Sequence, residues 1–380
     1  MTHLNKRRVL FLTFLGSMGT TLIELGLYFF THQQLGFSET ANLALALGWG
    51  LTYVLGALTS HKLTHHFGER KIALISILTQ LAANLVIWQS PTPAVITAGF
   101  LILGTATGMM WPIIESYISS GLTPRKAMRV IGYFNLTWSS AVAVALLVTG
   151  IILAINPGAL LITAAALNTT VAILILTLRK RPLHMEHDHP DRPAPEQLSR
   201  WKHLLASSRW TMLASYTLLF LLAPLLPQIF TDLGLTTAWS ANAAAILHLV
   251  RFLTFTGMII LPQWHDRAWP LITALIIQPV SFFLILFGPS VPIVIFGEVL
   301  FGWAAGVSYF AALYYAQVIQ NASVEAGGEH EGLIGAGFAL GPLLGLVAMY
   351  LGGSLLDVAL ITGPFIAFST YKAARALRHA

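Results

Sequence analysis

Long apolar segments separated by short polar breaks run along the whole chain. Each apolar segment is close to the ~20 residues that an α-helix needs to cross the hydrocarbon core of a bilayer. Several breaks carry turn-forming residues, as in Ser90-Pro91-Thr92-Pro93. The pattern predicts an all-α integral membrane protein with twelve transmembrane helices, at about 9–31, 38–60, 71–89, 93–120, 129–154, 158–178, 209–232, 237–262, 269–287, 291–319, 331–351 and 355–372.

One polar stretch, from Arg179 to Lys202, is much longer than the others and carries several prolines among mixed charges. It divides the predicted helices six and six. We therefore expect an N-terminal six-helix bundle at 1–178, a solvated linker at 179–208 and a C-terminal six-helix bundle at 209–380.

The two halves of the chain also resemble each other. When the sequence is shifted by 198 positions, Pro91 falls on Pro289 and Gly104 falls on Gly302. Proline, glutamine and glycine residues keep this one offset from the second to the fourth predicted span, which indicates an internal repeat. Because both halves begin on the same side of the membrane, the repeat predicts two pseudo-symmetric bundles related by an axis along the membrane normal.

The composition agrees with a chain whose solvent is mostly lipid. Hydrophobic residues make up 56% of the chain and charged residues only 9%, whereas charged residues make up about 25% of soluble domains. All lysines and arginines except Arg251 fall on one side of the predicted topology. The positive-inside rule places that side in the cytoplasm. We expect both termini and the linker to be cytoplasmic, in a bacterial cytoplasmic membrane, and the net charge of +6 indicates no nucleic-acid partner.

Several other classes of protein are excluded by what the sequence lacks. The chain has no cysteine, so it has no disulfide framework and no thiolate metal site. It has no phosphate-binding loop, nucleophile elbow or zinc-protease motif, so we expect neither an enzyme nor a bound cofactor. The apolar run after Lys6-Arg7-Arg8 extends to about Phe30, which is too long for the core of a signal peptide and predicts a retained first span.

Four charged residues lie well inside predicted spans, where an ionisable group usually faces a bundle interior or a hydrated cavity. They are Glu24, Glu115, Arg251 and Glu298, in the first, fourth, eighth and tenth spans. We take them as candidate solute or coupling residues. We also predict that Arg251 shares a central cavity with at least one of the three acids.

Each candidate also has a structural alternative. Glu24 shares one face of its helix with Tyr28 and several hydroxyl residues. One expectation is that it binds a solute or a proton, and the alternative is that it bonds a neighbouring hydroxyl and fixes helix packing. Glu115 follows Trp111-Pro112 and contacts a solute or forms a gate with a loop arginine. Glu298 is an outer gate or a structural partner.

Arg251 has His248 three residues before it, on the same helical face. Its guanidinium requires carboxylate or phosphate partners, so it binds an anionic solute or forms a structural ion pair. His248 titrates near neutrality or packs through a hydrogen bond.

Two histidine-rich segments resemble metal sites. The first is in the linker, around His184, His187 and His189, and the second is Glu329-His330-Glu331 at the start of the eleventh predicted span. We interpret both as solvated faces and expect no metal.

The whole chain resembles the major facilitator superfamily in its twelve spans, its parallel six-plus-six repeat and its long central loop. That family has a loop motif between spans two and three, and Gly68, Arg70 and Lys71 match it, while His61 and His65 replace its first glycine and its acid. The glycine-rich Gly-Pro motif of proton-coupled drug antiporters is absent from span five, and a similar pattern occurs in span eleven as Gly341-Pro342.

The resemblance implies a secondary active transporter that works by alternating access and is a monomer, with spans one, four, seven and ten around its cavity and Gly68, Arg70 and Lys71 in a gating loop. Aromatic side chains near that cavity suit a small organic solute that is amphipathic or carries a ring, and they suit packing equally well. The carboxylates permit proton coupling without establishing it. The competing function is a polytopic receptor or scaffold that transports nothing, and a solute-flux assay separates the two.

Overall fold

The computed structural model describes residues 3–185, 192–235, 239, 243 and 245–378. In these residues the chain forms twelve long α-helices, one short 3₁₀ turn at Pro262–Trp264 and no β-strand. The helices are α1 His3–Leu35, α2 Glu39–Phe67, α3 Glu69–Gln89, α4 Pro93–Ser119, α5 Pro124–Ile155, α6 Ala159–Leu176, α7 Pro195–Asp232, α8 Ile246–Ile260, α9 Trp269–Phe287, α10 Val291–Ile319, α11 Val324–Leu351 and α12 Leu355–Leu377.

The helices confirm the predicted all-α membrane fold. Among the described residues, nine helices are long and apolar enough to cross a membrane, and α8 is a shorter apolar helix. Lipid offers the backbone no hydrogen bonds, so each span satisfies its own peptide groups as a helix. The bounds of α9 and α10 equal the predicted ones. Part of the eighth predicted span, at 237–238, 240–242 and 244, lies outside the described residues.

Several helices begin earlier than the apolar pattern indicated, and the differences are largest for α7 and α11. Helix α11 begins at Val324 rather than at Glu331, and α7 begins at Pro195, inside the segment for which we expected a solvated linker. Both extensions are rich in polar residues, which an apolar threshold excludes although they are good helix formers. Proline at the first position of α7 suits a helix start, because its missing N–H has no partner there in any case.

The chain divides into two compact units. The first unit comprises Met1–Arg192 and Gln320–Gly335, so it contains α1 to α6 and the beginning of α11. The second comprises Pro193–Ile319 and Ala336–Ala380, with α7 to α10, the rest of α11 and α12.

Within each unit, side chains bond the free backbone groups at the ends of helices. The Lys6 ammonium donates hydrogen bonds to the carbonyls of Tyr117 (2.8 Å), Ile118 (2.6 Å) and Ser120 (3.0 Å) at the C-terminal end of α4. These are carbonyls that a helix end leaves without intrahelical donors. Ser354 begins α12 with a capping box, in which its hydroxyl and the Asp357 carboxylate bond each other's backbone N–H.

The internal repeat is visible in the packing of the two units. An added Cβ at Gly99 would lie 2.7 Å from the Ile87 side chain, and one at Gly297 would lie 2.9 Å from Ile285. The residues of one pair are each 198 positions from those of the other. At the same offset, an added Cβ at Gly104 would lie 2.9 Å from the Trp49 carbonyl oxygen, and one at Gly302 would lie 2.5 Å from the Leu247 carbonyl oxygen. Each unit therefore brings its helices together at small residues that occupy corresponding positions in the sequence repeat.

Candidate functional site

A cluster of acidic and histidine side chains is buried in the first unit. The carboxyl oxygens of Glu115 on α4 and Glu331 on α11 and a ring nitrogen of His330 all lie within 4.8 Å of one another. Glu115 and His330 have no solvent exposure and Glu331 has 5%. The Tyr53 hydroxyl, on α2, donates a hydrogen bond to Glu331 Oε2. We call these four side chains the acidic cluster.

Small residues let α11 approach α2 and α4 closely enough to form this cluster. A Cβ at Gly327 would lie 2.8 Å from both Glu115 Oε2 and Pro112 Cα. A Cβ at Gly328 would lie 2.7 Å from the Ala57 carbonyl oxygen. At this separation a larger side chain at Gly327 would clash with α4, and one at Gly328 would clash with α2.

The closeness of the two buried carboxyl groups limits the charge that the cluster can carry. Two ionised carboxylates within this distance repel each other, and burial adds to the cost, so ionisation of both groups together is disfavoured. The Glu24 carboxyl, on α1, also acts electrostatically on the Tyr53 hydroxyl. The arrangement can hold a proton and release it when the helices separate.

The sequence identified only part of this cluster. Glu115 was a candidate, but we expected Glu329-His330-Glu331 to be a solvated face, and this expectation was wrong for His330 and Glu331. The helix start at Val324 rather than Glu331 places both residues two turns inside α11. The glycine pair at 327–328, directly before the acids, was the available signal of a close helix contact. The other histidine-rich segment lies largely at 186–191, outside the described residues.

Three other candidates of the first unit lie on α1 and α4. Glu24 and Tyr28 are half-buried, and the Glu24 carboxyl acts electrostatically on the Tyr28 hydroxyl. The Tyr28 ring packs edge-on against Phe100, with 5.7 Å between ring centroids. Trp111 is buried with its ring centroid 6.5 Å from that of Phe134. The two aromatic side chains are thus packed against other rings.

Arg251, His248 and Glu298 belong to the second unit. Arg251 is 5% exposed, and its guanidinium Nη2 lies 3.4 Å from His248 Nδ1. A guanidinium only donates, so Nδ1 is the acceptor and His248 is a neutral imidazole in this contact. Glu298 is fully buried, and neither carboxyl oxygen has a hydrogen-bond partner among the described residues. The shared cavity of Arg251 and an acid remains a prediction.

The residues of the proposed gating loop join α2 to α3. Gly68 ends α2 with φ of +84°, a conformation that favours glycine. Arg70 donates from Nη1 to the Leu178 carbonyl (3.1 Å) and from its backbone N–H to the Lys180 carbonyl (3.3 Å). Lys71 Nζ lies 5.2 Å from the centroid of the Phe67 ring. The loop is therefore tied to the chain segment that leaves α6.

A corresponding loop in the second unit joins α8 to α9. Asp266, 198 positions after Gly68, also has positive φ, at +60°. Its carboxylate accepts a hydrogen bond from Trp201 Nε1 (2.8 Å) and lies 3.8 Å from Arg200 Nε. The neighbouring His265 is hydrogen-bonded to the Tyr314 hydroxyl, and burial lowers its pKa, although Asp266 acts in the opposite direction.

Comparisons with known proteins agree with this architecture. The family model of the major facilitator superfamily matches residues 9–346. No curated protein matches the chain. Among solved structures, the human organic anion transporter MFSD10 (TETRAN) superposes with a TM-score of 0.71 at 15% identity, over 97% of this chain and 99% of that one.

A second similar structure is the transporter FucP in the outward conformation, with a TM-score of 0.73 at 12% identity over 98% of both chains. Another FucP structure, described as the Escherichia coli fucose:proton symporter, gives a TM-score of 0.71 at 13% identity over 98% of both chains. At these identities the structures show a common fold. The family match covers most of the sequence, and the chain is a membrane transporter that belongs to the major facilitator superfamily.

Proposed function

We propose that this chain is a secondary active transporter that moves a small organic solute by alternating access and couples the movement to protons at the acidic cluster. The observation that carries the coupling is the close, buried pair of carboxyl groups of Glu115 and Glu331, held on two different helices. A site that is protonated when its helices are together, and ionises when they part, links protonation to conformation.

The groups that face Glu331 from the elements around it define the proton site. They are Tyr53 from α2, Glu115 from α4 and His330 on α11, and Glu24 on α1 acts on Tyr53 electrostatically. Each can exchange a proton. Ionising the pair at its present separation would place two negative charges side by side in a buried setting, which is strongly unfavourable.

Arg251 supports a solute that carries negative charge. It is a buried guanidinium, a group that binds carboxylate and phosphate in a bidentate manner. Aromatic side chains lie near it in the second unit: Phe255 follows it by one helical turn, and the Phe255 and Tyr309 rings lie 5.7 Å apart. The similarity to an organic anion transporter and to a fucose:proton symporter also supports a small organic solute.

The test is uptake into proteoliposomes of the purified chain, first with a mixture of organic acids and sugars and a mass-spectrometric readout. Solutes that accumulate are then measured with and without an imposed pH gradient. We expect the gradient to drive accumulation by the wild type. Glu331→Gln keeps the size of the side chain but removes its ionisation, so it should exchange solute while losing gradient-driven accumulation.

Glu325→Gln is the matched control, because Glu325 lies on the same helix with its side chain exposed. It should behave as the wild type in both assays. Full gradient-driven accumulation by Glu331→Gln would refute proton coupling at the cluster. Absence of any flux, with folding intact, would favour the receptor or scaffold function instead.

A further inference from the structure

A groove lies between α7 and α12, near the end of α12 that carries the C-terminus. Its volume is about 430 Å³, and it is lined by Trp210, Lys372, Arg375 and Ala376. Ligand pockets in proteins range from about 300 to 1,000 Å³, so the groove is large enough for a small polar group. No residue of the acidic cluster and no candidate solute residue lines it.

Two cationic side chains and an indole line the groove. Lys372 Nζ lies 5.4 Å from the centroid of the Trp210 ring, within the range of a cation–π interaction. Phe368 packs edge-on against the same ring at 5.5 Å between centroids, so the indole is also packed against a second aromatic ring. Arg375 follows Lys372 by three residues, so both cations point to the same face of α12.

The surface of α12 that leads to the groove is apolar and exposed. Leu356, Leu360 and Phe368 are exposed at intervals that repeat along one side of the helix, and Tyr371 is exposed near its end. In a membrane protein, such a surface contacts acyl chains. The helix therefore presents an apolar face that ends in two positive charges, and these charges lie beside Trp210 of α7, a residue type enriched at membrane boundaries.

We propose that the groove binds the phosphate-bearing headgroup of an anionic phospholipid, with the Lys372 ammonium and the Arg375 guanidinium on the phosphate and the acyl chains along α12. Basic pockets between transmembrane helices recognise headgroups in this way. Cations in the last turns of a helix also interact with its free carbonyl groups. That interaction accounts for the two charges, but it requires neither a groove nor an indole. This inference is independent of the solute and of proton coupling.

The test is lipid binding to the purified full chain, measured by native mass spectrometry and by thermal shift in a detergent without charge. The probes are phosphatidylglycerol, cardiolipin, phosphatidylcholine and inorganic phosphate. We expect the two anionic lipids to bind and to raise the melting temperature, and phosphatidylcholine to do so much less. Lys372→Gln with Arg375→Gln should weaken phosphatidylglycerol binding on the order of 30-fold, from the contribution of two basic side chains near a bilayer surface.

Arg125→Gln with Lys126→Gln is the matched control, because it removes the same two charge types from exposed positions at the start of α5. It should leave lipid binding unchanged, as should the charge-conserving pair Lys372→Arg with Arg375→Lys. Equal binding of phosphatidylcholine and phosphatidylglycerol would overturn the proposal. So would equal losses in the two Gln double variants, or saturation by inorganic phosphate that prevents lipid binding, which would identify a site for soluble anions.

Discussion

Replacing Lys6 with methionine tests how much an interior cation contributes to the first unit. Lys6 is 8% exposed, and its ammonium donates to three carbonyls at the end of α4. A hydrogen bond from a charged donor contributes about 1.5–3 kcal/mol, so three bonds set an upper bound of roughly 5–9 kcal/mol. Methionine has nearly the same length and is apolar, so it fills the space without donating.

Two effects reduce that upper bound. Removing the ammonium also removes the cost of burying its charge. The Tyr117 carbonyl keeps a second hydrogen bond, from Ser120 Oγ at 3.3 Å. We therefore expect Lys6→Met to lower the free energy of unfolding by about 2–4 kcal/mol. Unfolding entropy is about 2.1 cal/mol/K per residue, so for this 380-residue chain the melting temperature should fall by about 3–5 °C.

The assay is thermal unfolding of the purified protein in detergent, with Arg8→Met as the matched control. Arg8 lies in the same helical turn as Lys6 but is exposed, so its loss removes one basic charge and no buried hydrogen bond. A single cysteine at Ser120 should become more reactive to thiol reagents in the Lys6→Met background, because the end of α4 frays. Equal melting temperatures for Lys6→Met and Arg8→Met would refute the reasoning.

Four further predictions concern other parts of the chain. Gly108→Ala should lower the melting temperature by several degrees, because its Cβ would lie 2.2 Å from a backbone carbonyl oxygen of α2, whereas Gly257→Ala, with open space around it, should not. Since burial lowers the pKa of His265, the unfolded chain binds an additional proton in acid. The free energy of unfolding should therefore decrease as the pH falls below about 6.5, and it should decrease less in His265→Gln than in the wild type. Unfolding of both proteins at pH 7.5 and at pH 5 measures this difference. If Arg251 binds the solute, Arg251→Lys should abolish transport with little change in melting temperature, because lysine lacks the bidentate geometry. A single cysteine at Pro91 should be labelled from outside intact cells and one in the C-terminal tail should not; the opposite result would reverse the topology.

The sequence predicted the membrane fold because lipid imposes one dominant requirement, an apolar helix of fixed length. Where that requirement applied, as in α9 and α10, the predicted bounds agree with the observed ones. It does not apply to helix extensions outside the apolar region, so the starts of α7 and α11 were missed. Because α11 was expected to begin only at Glu331, His330 and Glu331 were expected to face solvent.

The acidic cluster depends on tertiary contacts that no single helix pattern contains. Glu115 was recognisable because a charge inside an apolar span is unusual. Its partners Tyr53 and Glu331 are 62 and 216 positions away in the chain, and only packing shows that they meet. Gly327 and Gly328 can be read from the sequence, but their close helix contacts cannot, because glycine is common in membrane helices.

Because the glycine contacts repeat, a position in one half of the chain can be compared directly with the corresponding position in the other half. Gly108 meets the backbone of Tyr53, and Gly306, 198 positions later, meets that of Arg251. The same backbone position thus carries a phenol that bonds the acidic cluster in one unit and a guanidinium beside a histidine in the other. The same helix packing therefore occurs in both units, but the side chain at the corresponding position differs between them. Exchanging these two side chains therefore changes the local chemistry while keeping the surrounding backbone comparable.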